Sequence, residues 1–316
     1  MKTLLSLLVL LAPLVAGAQP YPSRPVHFVV GFAAGGFADT VARIFQQKVQ
    51  ERVGQPVVVE NRGGAGGSIA SKYVAGVAPD GYVILVNTAA MAINASMQKD
   101  PGFNAVADFT PVMITASAPE VFAVNASSTA GTLQDLVREH KGKQLTYAHS
   151  GVGTSSHLIG EYLFKRLAGA EAVHVPFQGG APAVTATLSG QVSAISLTLP
   201  PMLPHIRSGK LRALAVASKS RIAALPNVPT VAEAGYPELD AGSWVGFFVP
   251  AKTDPAVVAR LNAVMNEVIA LPDVRERFTN LAVEASGGTP PELAAMFRAQ
   301  VQNWANVVKT TGIKAD

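Results

Sequence analysis

The sequence predicts an α/β fold made of two sheets with helices on their faces, and three observations carry that expectation. Short apolar runs, continuous rather than alternating, are followed by segments with helical spacing, as parallel strands covered on both sides require. The same alternation returns in the middle of the chain. The 316 residues, 49% hydrophobic and only 15% charged, exceed the usual size of one domain and can fill two cores.

The elements follow in order. After Pro20-Tyr21-Pro22, the run Val26-His27-Phe28-Val29-Val30 reads as a buried strand. A Gly-rich turn from Gly31 to Asp39 leads into a helix over 40–53, with Val41, Ile44, Phe45 and Val49 at helical spacing and Gly54 closing it. Val57-Val58-Val59 is the next strand, Gly63-Gly64-Ala65-Gly66-Gly67 precedes a helix over 68–78, and a third strand spans 82–86. In the middle, strands are expected at 121–124, 145–148, 173–175, 192–197 and 211–217, with helices at 155–167 and 181–189. A further apolar stretch covers 244–249, and two helices follow at 255–270 and 290–311. The second carries Leu293, Phe297, Val301, Trp304 and Val308 as a core-facing stripe. Two chain crossings, near 111–125 and 235–249, would make the middle an insertion. One lobe would then comprise residues 19–118 and 245–316, and the other residues 119–244.

The N-terminus has a positive Lys2, an apolar run from Leu4 to Val15 broken by Ser6 and Pro13, and Ala16-Gly17-Ala18 before Gln19. That order is a secretory signal over residues 1–18, cleaved after Ala18, and a periplasmic location is expected. The apolar run falls short of the about 20 residues that a span needs. Cysteine is absent, which removes disulfides, thiolate metal sites and thiol nucleophiles. The formal charge of +4 is scattered, so the basic stripe of a nucleic-acid binder is missing.

Two loops concentrate the residue types that hold ligands. In the first, Gly35 and Gly36 allow close backbone approach at a helix start, a favourable place for an anion. Asp39 could cap that helix, or receive a ligand amine or an ordered water. Its G-x-x-x-G-G spacing is not a dinucleotide fingerprint, and Gly63 to Gly67 lacks the ending of a nucleotide P-loop; no cofactor is expected. The second loop, Ser150-Gly151-Val152-Gly153-Thr154-Ser155-Ser156-His157, packs four hydroxyls and an imidazole around two glycines at a strand-to-helix junction. Hydroxyls and free amides suit a carboxylate, although Thr154 or Ser155 could serve only as an N-cap.

An enzyme reading competes at this loop. Ala148-His149-Ser150-Gly151-Val152 resembles a nucleophile elbow with Ser150 as nucleophile, but Ala148 and Val152 replace both glycines of G-x-S-x-G. Glu171, Asp240, His174 or His205 could complete a triad, and no spacing selects among them. The histidines show no metal-ligand spacing, so no metal site is expected, and His27 and His174 read as core residues within strands. Gly-rich and hydroxyl-rich loops at the C-terminal edges of parallel strands, in two lobes facing each other, make a ligand cleft that requires no catalytic group.

A series of motifs then runs through the mature chain. It starts at Tyr21-Pro22-Ser23-Arg24-Pro25-Val26, Gly35-Gly36-Phe37-Ala38-Asp39 and Gly54-Gln55-Pro56-Val57-Val58-Val59-Glu60-Asn61-Arg62. It continues with Pro79-Asp80-Gly81-Tyr82, Asp108-Phe109-Thr110-Pro111-Val112, Gly153-Thr154-Ser155-Ser156-His157-Leu158 and Val175-Pro176-Phe177-Gln178-Gly179. Gly209-Lys210-Leu211-Arg212-Ala213-Leu214-Ala215-Val216 and Leu225-Pro226-Asn227-Val228-Pro229-Thr230 complete it. In this order the motifs resemble the periplasmic solute receptors of tripartite tricarboxylate transporters, the Bordetella uptake gene family.

The resemblance implies a two-lobed type II periplasmic-binding-protein fold that closes like a Venus flytrap on a small organic acid or a related amide. It implies delivery to membrane permease subunits, action as a monomer and no enzymatic role. Carried over by position, the ligand-binding residues are Phe32, Ala33, Gly35, Gly36, Ala38 and Asp39 in the first loop. Ser150, Gly153, Thr154, Ser155 and His157 belong to the middle loop, with Thr88, Phe177 and Gly179 contributing by position. Ala33-Ala34 stands where two prolines are common, Phe177 replaces a usual Tyr, Ser193 an Asp and Gly63 a Pro. These departures bear on the distal contacts of the ligand.

Overall fold

In the computed structural model, which describes residues 21–98, 100–311 and 313, the chain begins with β1 (Val26–Val30). The expected signal peptide and its cleavage point lie outside the described residues. Next come α1 (Phe37–Val53), β2 (Val57–Asn61), a 3-10 turn at Ala65–Gly67, α2 (Ser68–Ala75), β3 (Val83–Thr88) and α3 (Ala90–Met97). The long β4 (Phe109–Asn125) precedes α4 (Leu133–Glu139), β5 (Leu145–His149) and α5 (Ser155–Glu161), which runs on as a π-type turn over Tyr162–Leu167. Then β6 (Ala172–Pro176), α6 (Gly180–Leu188), β7 (Ala194–Thr198), α7 (Leu203–Arg207) and β8 (Leu211–Ala217) complete the middle. The chain ends in β9 (Gly242–Pro250), α8 (Pro255–Ala270), α9 (Pro272–Asn280), β10 (Glu284–Ala285) and α10 (Pro290–Thr311).

The strands follow the order β2-β1-β3-β9-β4 and then β4-β7-β5-β6, with β8 and β10 also on β4. Each half has a parallel core, β1 between β2 and β3 and β5 between β6 and β7, extended by antiparallel strands. The parallel strands are apolar throughout because both faces are covered: Phe28 and Val30 join the cluster under α1 and α8, while Val29 joins the cluster under α2 and α10.

One strand serves both halves. From Phe109 to Pro119, β4 pairs with β9, and from Glu120 onward it pairs with β7 and β8. The returning chain crosses beside it, with Glu120 N–H donating to Ala241 O and Ala241 N–H to Ala217 O, both at 3.0 Å. Gly242 permits this crossing, since a Cβ there would stand 2.3 Å from Ala118 O.

The structure also departs from the expected elements. The sequence predicts β4 only from residue 121, because Pro111 and Pro119 argue against a strand ahead of it; the strand begins at Phe109, and register shifts after Pro111 and Ile114 accommodate the irregularity. It gave no α9, which buries only Val274 and Phe278 and so carries little periodic signal. The short α4 and α7 bury as few residues, whereas α3 buries a continuous run from Ala90 to Asn94 and so shows no helical period. The stripe on α10 packs inward through Leu293 and Phe297, with Val301 and Trp304 half-buried against the same cluster.

Candidate functional site

The first loop is held from behind. Gly36 caps α1 without a side chain, and Asp39 in the first turn reaches back to accept the Gly35 N–H at 2.9 Å. The same carboxylate accepts Arg43 Nε at 2.9 Å and Asn61 Nδ2 at 2.8 Å. Burial pushes the Asp39 pKa up, but the bonds from Arg43, Gly35 and Asn61, with the charge of Arg43, outweigh it and hold the group below its ordinary value. Both Asp39 oxygens are therefore engaged by the protein, and the residue braces the Gly35-Gly36 turn.

The middle loop leaves β5 at His149 and enters α5 at Thr154. The Thr154 hydroxyl accepts the His157 N–H at 3.3 Å and donates to Gly151 O at 2.7 Å, so it is consumed as a helix cap. The hydroxyls of Ser150 and Ser156 lie 3.1 Å apart. His149 turns its ring to Gly151 and His174, which leaves Ser150 without the imidazole base that an elbow nucleophile needs.

The two loops face each other across a narrow cavity of ≈ 30 Å³. Phe32, Gly36, Phe37 and Ala38 from the first loop and Thr88 from the end of β3 form one side. Ser150, Thr154, Ser155, Ser156, Gly180, Leu197 and Thr198 form the other, and Ser243 at the crossing closes the back. Thr88 accepts the Ala90 N–H, and Ser150, Thr154 and Ser156 are also committed, which leaves the hydroxyls of Ser155, Thr198 and Ser243 without a partner among the described residues. A second cavity of ≈ 200 Å³ shares Phe32 and Ser150 and is walled by Gly64–Gly66, Gly151, Val152 and Phe177. The halves touch between them: Ala33 N–H donates to Gln178 O at 2.8 Å, and the cleft is nearly shut.

No Lys or Arg lines either cavity. The favourable potential for an anion comes from the N-terminal ends of α1, α5 and α6, which meet at the inner cavity through Gly36–Ala38, Thr154–Ser156 and Gly180. A larger, open groove of ≈ 940 Å³ lies against the crossing strands beside Trp304. It carries the carboxylates Asp240 and Glu284, and its Arg207 is bonded to Asn280 O, so it offers an anion little.

Of the residues expected from sequence, Phe32, Gly36, Ala38, Thr88, Ser150, Thr154 and Ser155 border the inner cavity and Phe177 the outer one. Ala33 and Gly179 meet where the halves touch. Gly35, Asp39, Gly153 and His157 line neither cavity; Gly153 packs on Asn94, and His157 is buried beneath the loop. Ser193, which departs from the family pattern, also stands away, its hydroxyl 3.2 Å from that of Thr146. Sequence reasoning missed Thr198 and Ser243. Thr198 could have been found as the residue that follows the strand expected at 192–197, whereas Ser243 depends on the chain crossing.

His149, His157 and His174 come together with one ring nitrogen of each within 4.8 Å of the others. Their sequence spacing carried no such hint, because two strands and a helix supply them. Burial, then the neighbouring imidazoles, holds His149 well below the ordinary value; burial and His174 bring His157 down to about 4. His174, expected as a core residue, is only half-buried.

Residues 41–313 match the family model of the tripartite tricarboxylate transporter family receptor. The periplasmic binding protein BugD is similar at 34% identity and a TM-score of 0.88, over 93% of this chain and 99% of its own. An R. palustris protein with adipate gives 32% identity and a TM-score of 0.88 over 93% and 99%. MatC from Rhodopseudomonas palustris, with bound malate, gives 32% and 0.85 over 91% and 100%. These neighbours are solute-binding receptors with the same α/β fold, and their kind implies a periplasmic location. The chain belongs to the tripartite tricarboxylate transporter receptor family.

Proposed function

We propose that this receptor closes two lobes, residues 19–118 with 245–316 and residues 119–244, on a small organic carboxylate held in the inner cavity. The observation that carries the reading is the convergence of three helix N-termini and unpaired hydroxyls on a cavity that no cationic side chain enters. Backbone N–H groups of Gly36 to Ala38 and the hydroxyls of Ser155, Thr198 and Ser243 receive the carboxylate. Phe32, with Phe177 in the outer cavity, walls the hydrocarbon part. A cavity of ≈ 30 Å³ has room for about two waters, so an acid enters through an opened cleft and favours closure by touching both halves at once. The relatives with adipate and malate support a carboxylate ligand.

In this reading the chain is exported, loses residues 1–18, acts as a monomer and delivers its ligand to membrane permease subunits. It catalyses nothing, since Ser150 has a serine and not an imidazole beside it. The test is calorimetry and thermal shift on the mature chain with malate, adipate, acidic amino acids and aromatic acids. One-to-one binding of a carboxylate, retained in Ser150→Ala, is expected. Failure of every acid to bind, or an ester hydrolysis that Ser150→Ala abolishes, overturns the reading.

A further inference from the structure

Tyr147 is paired with His174 across the parallel strands β5 and β6, which makes His149 the diagonal neighbour of His174 on the same face. The first turn of α5 lies over that face and adds His157. His149 Nε2 and His174 Nδ1 are 3.1 Å apart, and the ring centroids of the three histidines are separated by 4.5 to 5.2 Å. Among the described residues no other group of His, Cys, Asp and Glu gathers in this way.

Three neutral imidazoles in contact carry only one hydrogen bond among themselves, the one between His149 and His174. The rest of the cluster is arranged as a ligand set. His149 Nδ1 faces both Gly151 O at 3.0 Å and Gly151 N–H at 3.2 Å; in the tautomer that donates to the nearer carbonyl, the Nε2 lone pair faces inward, as in metal sites whose histidines are oriented by a backbone carbonyl. Two nitrogens bound tetrahedrally to Zn²⁺ at about 2.0–2.1 Å stand about 3.4 Å apart, close to the present 3.1 Å. His157 Nδ1 has one hydrogen-bond contact, the long 3.4 Å one with Gly153 N–H, and its ring lies 4.8 Å from that of His149 and 4.5 Å from that of His174, so a turn of the ring would bring a nitrogen to the same point. His149 and His157 are buried, while the partial exposure of His174 on the edge strand β6 supplies an entry path. Glu161, one helical turn beyond His157, is already bound to Tyr147 and Lys165.

We infer that His149, His157 and His174 form a binding site for a divalent late first-row transition-metal ion, with Zn²⁺ the best match to three imidazoles and an open fourth position. Ca²⁺ and Mg²⁺, which take oxygen ligands, do not fit. His149 precedes Ser150, and His157 follows Ser155 by two residues, so an ion here holds the loop that borders the carboxylate cavity. That last consequence rests on the carboxylate reading; the site itself does not.

The test uses the mature chain without a polyhistidine tag, stripped with a chelator and titrated calorimetrically with ZnCl₂ in the absence of any carboxylate. One Zn²⁺ per chain is expected, with a raised Tm. His174→Gln, a change at the half-exposed member, is expected to weaken binding by at least about tenfold, and His140→Ala on another element to leave it unchanged. Co²⁺ loaded into the unaltered chain gives the intense visible absorption of a tetrahedral nitrogen-rich site. Absence of stoichiometric Zn²⁺ uptake, undiminished uptake in His174→Gln, or a weak octahedral Co²⁺ spectrum overturns the proposal. Because no carboxylate enters these measurements, their failure is separate from any failure of the carboxylate reading.

Discussion

Ser196 Oγ donates to Glu120 Oε1 at 3.2 Å where the sheet of the middle half begins, and both residues are fully buried. Glu120 Oε2 has no partner. Burial raises the Glu120 pKa from 4.5 to about 8, against the lowering effect of the neighbouring Ser156 and Ser196 hydroxyls. Below about pH 8 the folded chain keeps this carboxyl protonated, whereas the unfolded chain loses the proton near 4.5. The native state therefore binds more protons between those values, and the contribution to stability, full below pH 4.5, is lost as pH rises towards 8. The loss is of order a few kcal/mol. Guanidinium melts at pH 5 and pH 8.5 should show a drop in midpoint that is much smaller in Glu120→Gln. An equal drop in both proteins would assign the effect elsewhere.

The brace behind the first loop gives a second prediction. Asp39→Ala strands the Gly35 N–H, Asn61 and Arg43 together and should cost about 1–3 kcal/mol. Arg43→Ala should cost less, because that side chain is half exposed. Carboxylate affinity should fall with Asp39→Ala although the residue lines neither cavity. Urea melts and calorimetry on both variants check the order; a larger loss in Arg43→Ala contradicts it.

What the sequence made legible was whatever one local pattern could specify. The bounds of α8 and α10 followed from sustained periodicity and the prolines that open them. The loops bordering the cavity stood out because Gly35-Gly36 and Ser150 to Ser156 concentrate residue types with special backbone or hydroxyl chemistry. Asp39 and Thr154 were ambiguous for a physical reason: a helix cap and an anion site need the same groups, and only geometry shows where each oxygen points. Thr198, Ser243 and the histidine cluster reach their places through the crossing at Gly242 and the pairing of β5 with β6. No local pattern encodes such a meeting.

The middle loop separates capping from binding. Ser155→Ala removes a hydroxyl that the protein does not use, so carboxylate affinity should fall about tenfold or more while the Tm of the ligand-free chain stays nearly constant. Thr198→Val should behave in the same way. Thr154→Val removes the α5 cap and should lower stability by about 1 kcal/mol along with affinity. Calorimetry paired with thermal melts distinguishes the two patterns. A Ser155→Ala chain that binds unchanged removes that residue from the site.

Gly153 shows how closely the halves approach on closing. Its φ is 75°, and a Cβ there would stand only 1.8 Å from Oδ1 of Asn94 on α3 in the other half. Gly153→Ala should therefore act twice. The left-handed backbone costs about 1–2 kcal/mol for a residue with a side chain, which melts of the ligand-free chain report. The added methyl also holds the cleft open, so affinity should fall at least tenfold and X-ray scattering with saturating carboxylate should show a larger radius of gyration than the unaltered chain. Asn94→Ala takes away the atom that the methyl strikes. If the clash is the cause, Gly153→Ala with Asn94→Ala should recover affinity relative to Gly153→Ala alone while the stability loss from the backbone persists. If affinity and stability stay low together, strain within the loop accounts for both, and closure does not depend on this contact.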